Sequence, residues 1–170
     1  MPRVRMIDEI EMAFPGQVDA FEHIVASRGK MLKPYAAMLH RPEVARAAAD
    51  LGSVIRYQGS MSDRDRELVI LTTAVERDCQ FEISIHSELA RSAGVSEDTL
   101  DSVFHRTPVE DTTDAELVDF VRELCRSDKV TDAVFEQCRS RLGEEGVVEL
   151  AATIGYYSML ALFMNACEVC

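Results

Sequence analysis

The sequence predicts an all-α protein, and three observations carry that prediction. Apolar residues recur at three- and four-residue spacing along most of the chain, and no alternating run is long enough for a strand. Residues that start helices (Pro42, Ser62, Ser96, Thr131) and glycines that stop them (Gly94, Gly143) fall where those periodic stretches begin and end. The stretch from Asp65 to Val95 organises the rest: it reads as two helices folding back on each other at a tight polar joint, Arg77-Asp78.

Taken in order, residues 1–16 are mixed and predicted irregular, with Pro15-Gly16 as a breaker before a helix from Gln17 to Arg28 that carries Val18, Phe21, Ile24 and Val25. Pro34 opens a short turn of helix ending near Leu39. Pro42 suits a first helical position ahead of Val44, Ala47, Ala48, Leu51, Val54 and Ile55. Gly59 and Ser60 end that helix, and Ser62 or Asp63 caps the next, which carries Leu68, Val69, Leu71, Thr72 and Val75. Asp78 is the expected cap of the helix that follows, running to Ala93. Gly94 then takes the left-handed position, and Ser96 caps a helix through Leu100 and Val103. Thr113-Asp114-Ala115-Glu116 has the form of a capping box before Leu117, Val118, Phe120, Val121 and Leu124. Thr131 caps a helix through Val134, Phe135, Cys138 and Leu142, closed by Gly143.

Residues 150–164 carry no charge, yet they are shorter than the roughly 20 residues that span a bilayer, and Glu144, Glu145, Glu149 and Glu168 flank them without a basic residue. A helix apolar on all sides is a buried one. In a domain of this size the reading is a helix within 147–167 that is shared between subunits, not a membrane span.

Composition limits the function classes. With 170 residues, 47% apolar and 28% charged, the chain suits a single domain, 1–170, with a sizeable core. A net charge of -12 argues against nucleic acid as a partner. Five cysteines without a secreted-type framework suit a reducing cytoplasm, and the N-terminal residues have no uninterrupted apolar core of a secretory signal.

The chemistry-bearing groups cluster in the central hairpin. Cys79, Glu82 and His86 share one ridge of their helix, being three, four and seven residues apart. Glu67 lies on the preceding helix. At 1.5 Å per residue it stands about 15 Å above the Arg77-Asp78 joint and His86 about 12 Å above it, so the two can meet side by side.

This arrangement resembles the superfamily of carboxymuconolactone decarboxylases and AhpD-like disulfide reductases. The reductases carry a Glu, a Cys twelve residues on, a second Cys three further and a His four further; Glu67, Cys79, Glu82 and His86 keep that spacing with Glu82 in place of the second cysteine. The decarboxylases lack both cysteines and show Glu-x-x-x-His, as Glu82-Ile83-Ser84-Ile85-His86 does here, followed by small residues and Gly94-Val95-Ser96. The resemblance is clearest over 42–103, most specific at Arg66-Glu67-Leu68-Val69-Ile70-Leu71, and returns at Ile154-Gly155-Tyr156-Tyr157 with Asn165. It implies an AhpD-like helical bundle whose antiparallel hairpin carries the site, no cofactor, and a trimer or hexamer.

Three functional readings follow from these residues. In the first, an enzyme acts as a carboxymuconolactone decarboxylase-like lyase on a small carboxylated or lactone substrate. His86 is its acid–base group, with an ordinary pKa near neutrality, and Glu67 orients it. Glu82 is either the second carboxylate of this relay or a solvated surface charge. In the second, Cys79 acts as an AhpD-like peroxidase or disulfide reductase thiol, favoured by a helix N-terminus. The third is a non-catalytic oligomeric scaffold that kept the fold and lost the chemistry, a reading that an exposed, unperturbed His86 would favour. Arg64, Arg66 and Arg77 are candidates to hold a substrate carboxylate, Arg77 foremost, and Tyr157 is the candidate cover of the site. Cys167-Glu168-Val169-Cys170 lacks further ligands at zinc spacing, so no metal is expected. Cys125, Cys138 and Cys167 read as core residues, and His23, His40 and His105 as structural.

Overall fold

The computed structural model describes residues 1–169 and shows eight α-helices and no strand among them, an all-helical fold. Cys170, and with it the second cysteine of the terminal pair, lies outside the described residues. By contact the chain separates into two compact units, Met1–Gln58 with Phe163–Cys170, and Gly59–Leu162.

In the first unit a 3-10 turn, Ile10–Met12, precedes α1 (Pro15–Arg28), α2 (Lys33–Met38) and α3 (Pro42–Tyr57). The expected breaker at Pro15 is instead the first residue of α1: its missing N–H falls where helices leave N–H groups unbonded anyway, and Gln17 Oε1 accepts from the Phe14 N–H at 2.9 Å. Both α1 and α2 pack on α3, which buries Ala45, Ala48, Ala49 and Ile55.

The second unit is built around α4 (Asp63–Glu76), whose residues from Arg66 to Val75 are all buried. Ser62 caps it, its hydroxyl accepting from the Asp65 N–H at 3.1 Å. The Glu149 carboxylate fixes the approach to α4 by accepting from the Ser60 N–H at 2.6 Å and the Ser60 hydroxyl at 2.7 Å. Against α4 pack α5 (Gln80–Ser92), α6 (Glu97–His105) and α7 (Thr112–Ser127). Leu68, Leu71, Val95, Leu100, Leu117, Val121, Leu150 and Ile154 form one contiguous core with them.

Two caps differ from expectation. Asp78 does not cap α5; it sits at φ 51° and Cys79 occupies the capping position. The chain reverses here within three residues, which demands one left-handed residue, and Asp tolerates that better than the Arg or Cys beside it. Likewise α7 is capped by Asp111, whose carboxylate accepts from the Thr113 and Asp114 N–H groups. Thr113 is therefore inside the first turn, because an acceptor two and three residues upstream already satisfies those donors.

The last helix, α8 (Asp132–Cys167), is interrupted at Gly143, with φ 72° and ψ -180°. By length and composition it could cross a membrane, and 56% of its most apolar window is buried inside the protein. It is not buried all round. Leu150, Thr153, Ile154, Tyr156, Tyr157 and Leu160 are buried, whereas Val148, Ala152, Gly155, Met159 and Leu162 form an exposed stripe at alternating four- and three-residue spacing.

Candidate active site

The α4–α5 hairpin brings together the groups that sequence spacing placed on facing ridges. His86 Nδ1 lies 2.6 Å from Glu67 Oε2, across the hairpin, and His86 Nε2 lies 3.3 Å from Glu82 Oε2, one turn back on α5. Glu67, Glu82 and His86 are each about 95% buried, at 3%, 4% and 4% exposure. That burial removes the surface-charge alternative for Glu82, and His86 is not the exposed histidine that would favour a scaffold. The Tyr157 ring meets the imidazole edge-on at 5.3 Å between centroids, and Tyr156 packs edge-on against Tyr157 at 5.2 Å.

The electrostatics follow from this geometry. Burial disfavours the imidazolium, but hydrogen bonds to Glu67 and then Glu82, with the charges of both carboxylates, outweigh it and hold the His86 pKa above its ordinary value of 6.5. The imidazolium is thus favoured by a carboxylate at each ring nitrogen, Glu67 at Nδ1 and Glu82 at Nε2. The shorter bond, to Glu67, fixes the ring; the longer one leaves the Nε2–H facing Glu82 as the more transferable proton.

Cys79 is 1% exposed and begins the helix that carries Glu82 and His86. Its N–H donates to the Ala74 carbonyl at 3.0 Å and its carbonyl accepts from Ile83, so its backbone closes the hairpin. Arg106 ties the same joint from α6, donating to the Val75 carbonyl at 2.5 Å and to Asp78 Oδ1 at 2.7 Å.

The candidate carboxylate-binding arginines are engaged. Arg64 forks onto Asp114 at 2.7 and 2.9 Å, Arg66 donates to Asp63 at 2.5 Å, and Arg77 donates to Ser158 Oγ at 3.1 Å and the Cys125 carbonyl at 3.2 Å. Sequence reasoning missed the acceptors Asp114 and Ser158, which lie 50 and 81 residues from their partners, a separation that no local spacing rule reads. The thiol of Cys138 is pushed up to about 11 and that of Cys125 is also raised, in both cases by burial first. These are packing cysteines, whereas Cys167 is only partly buried. His23 pairs with Asp50, His40 with the Arg5 carbonyl and His105 with Asp101, as structural histidines do.

Residues 42–118, which contain the whole Glu67–Cys79–Glu82–His86 constellation, match the sequence profile of the carboxymuconolactone decarboxylase family. The segment that carries the site is thus similar to that family. Its fold is similar to an uncharacterized peroxidase-related protein from Ralstonia eutropha, described as an alkylhydroperoxidase AhpD core, at TM-score 0.79 and 17% identity, covering 99% of this chain and 91% of that one. It is also similar to an uncharacterized peroxidase-related protein from a Silicibacter species (TM-score 0.76, 16% identity, 99% and 93% coverage). A third likeness is to a putative antioxidant defence protein AhpD from Agrobacterium tumefaciens (TM-score 0.67, 20% identity, 76% and 90% coverage). No curated protein matches the chain. At these identities the solved structures speak for the fold and for nothing finer.

Proposed function

We propose that this chain is a proton-transfer enzyme of the carboxymuconolactone decarboxylase type, with His86 as the acid. The observation that carries the reading is the buried imidazole held at both nitrogens by Glu67 and Glu82. Loss of CO₂ from a lactone acid leaves a carbanion or enolate, and an imidazolium with a raised pKa can supply the missing proton without waiting for solvent. Glu67 keeps the ring charged and aligned, and after each turnover the neutral imidazole regains its proton from water, which Glu82 takes up and passes to Nε2. Arg77 is the candidate to orient a substrate carboxylate, which would displace one of its bonds to Ser158 Oγ or the Cys125 carbonyl. Tyr157 forms the wall over the imidazole.

His86→Ala and Glu67→Gln should each lower the rate of lactone decarboxylation by at least about a hundredfold while the helical circular dichroism is retained. Cys79→Ser should leave that rate intact. A His86→Ala protein with full activity removes the proposal.

A second reading has its own support: Cys79 starts the same helix, and structural neighbours are described as peroxidase-related. Here Cys79 would reduce a hydroperoxide to the alcohol and become a sulfenic acid, which a partner thiol then resolves, since Glu82 stands where a resolving cysteine would be. Cys79→Ser would then abolish peroxide turnover, and an unchanged rate would dismiss this reading. For assembly we propose a homo-oligomer, a trimer or a hexamer, formed along the exposed α8 stripe from Val148 to Leu162.

A further inference from the structure

We infer that a second surface, on α3, docks against α3 of another copy of this chain, antiparallel and across a twofold axis. The inference does not depend on the catalytic reading. Val44, Ala47, Leu51 and Val54 recur at spacings of three, four and three, the seam of a helix that expects a helical partner, and all four are exposed. Val44, Leu51 and Val54 keep 50%, 47% and 48% of their surface open, and Tyr57 beside them 67%. α1 and α2 pack elsewhere on α3, where Ala45, Ala48, Ala49 and Ile55 are buried.

The charges beside the seam select the occupant. Arg46 and Asp50 are both exposed, four residues apart, on the side of the seam that faces water. Their midpoint, residue 48, lies within one residue of the midpoint of the apolar seam. Antiparallel pairing about that point sets Arg46 of each copy against Asp50 of the other, twice over. Parallel pairing sets Arg46 against Arg46 and Asp50 against Asp50. Asp50 meets His23 Nε2 through Oδ1, and a carboxylate has a second oxygen with which to accept from an arginine. Arg46 makes no ion pair among the described residues.

A helical seam with opposite charges symmetric about its centre is self-complementary, which is the requirement of a twofold contact. Two such patches, each of roughly 400 Å², bury with their charged rims on the order of 1,000 Å² in total, the lower end for a specific interface.

The test measures mass by sedimentation velocity at micromolar concentration, on a chain carrying Leu162→Glu so that the α8 contact is disabled. This chain should sediment as a dimer. Adding Leu51→Glu or Arg46→Asp should weaken the dimer at least tenfold, and Arg46→Asp with Asp50→Arg should restore it to within about threefold. Every substitution is at an exposed position, and an unchanged melting curve excludes unfolding as the cause. A monomeric Leu162→Glu chain would overturn the inference, because α3 would then be docking on α8 or on nothing. A dimer indifferent to Leu51→Glu, or a double reversal as weak as the single one, would overturn it as well.

Discussion

Replacing Glu67 with Gln tests the electrostatics of the buried cluster with little change in shape. The wild-type His86 pKa is raised because two carboxylates outweigh burial, and Glu67, at 2.6 Å, makes the stronger bond. A charge-assisted hydrogen bond contributes about 1.5–3 kcal/mol and the neutral one that Gln can still accept about 0.5–1.5 kcal/mol, so the change should weaken the hold on the imidazolium by roughly 1–1.5 kcal/mol and lower the His86 pKa. The Glu82→Gln change should lower it by less, since that contact is 3.3 Å long. The sign for stability follows from the direction of the shift. A histidine whose folded pKa is raised adds stability that is full below its unfolded value near 6.5 and disappears as pH climbs through the folded value. Glu67→Gln should therefore cost most on the acidic side of neutrality, and the gap from wild type should narrow as pH rises above the wild-type His86 pKa. The imidazole Cε1–H resonance of His86, followed by carbon–proton correlation NMR across neutral pH, reads the pKa directly, and urea unfolding at the same pH values reads the linkage. A titration midpoint in Glu67→Gln within about 0.3 units of wild type would refute the argument.

The remaining predictions are briefer. Leu160 is 4% exposed and Leu162 is 57% exposed, so Leu160→Glu should destabilise the fold by several kcal/mol in chemical unfolding while Leu162→Glu leaves stability near wild type and lowers the assembled mass in light scattering. Asp114 holds Arg64 and the Thr99 hydroxyl, and although burial opposes its charge these partners keep its carboxyl below the ordinary range. Asp114→Ala should cost about 2 kcal/mol near neutral pH, discounted because Arg64 reaches water, and the penalty should fade as acid protonates the wild-type carboxylate; a loss that persists unchanged in acid would show the role to be packing alone. Gly94 has φ 94° with no atom near the position of an added Cβ, so Gly94→Ala should cost about 1 kcal/mol from backbone strain alone, read as a lowered thermal midpoint.

The helices were legible because their signals are local. Pro42, Ser62, Ser96 and Gly94 act within a few residues of themselves, and each stands in the structure where the sequence places it. Even the meeting of Glu67 with His86 is a matter of counting rises up two arms of a hairpin, which is why a contact across 19 residues could be read at all. Errors came where two local rules competed: Asp78 satisfies the preference for caps, but the reversal needed a left-handed residue more, and Asp78 supplied it. What only the tertiary structure decided is burial, because burial depends on which faces distant segments cover. It turned Glu82 from an ambiguous charge into one side of an imidazolium clamp, committed Arg64 to Asp114, and left one side of α8 packed in the chain and the other open. A carboxylate four residues from a histidine has the same spacing on any helix; the contacts from α4 and α8, Glu67 on Nδ1 and Tyr157 on the ring, exist only because the tertiary fold buries the pair away from screening water.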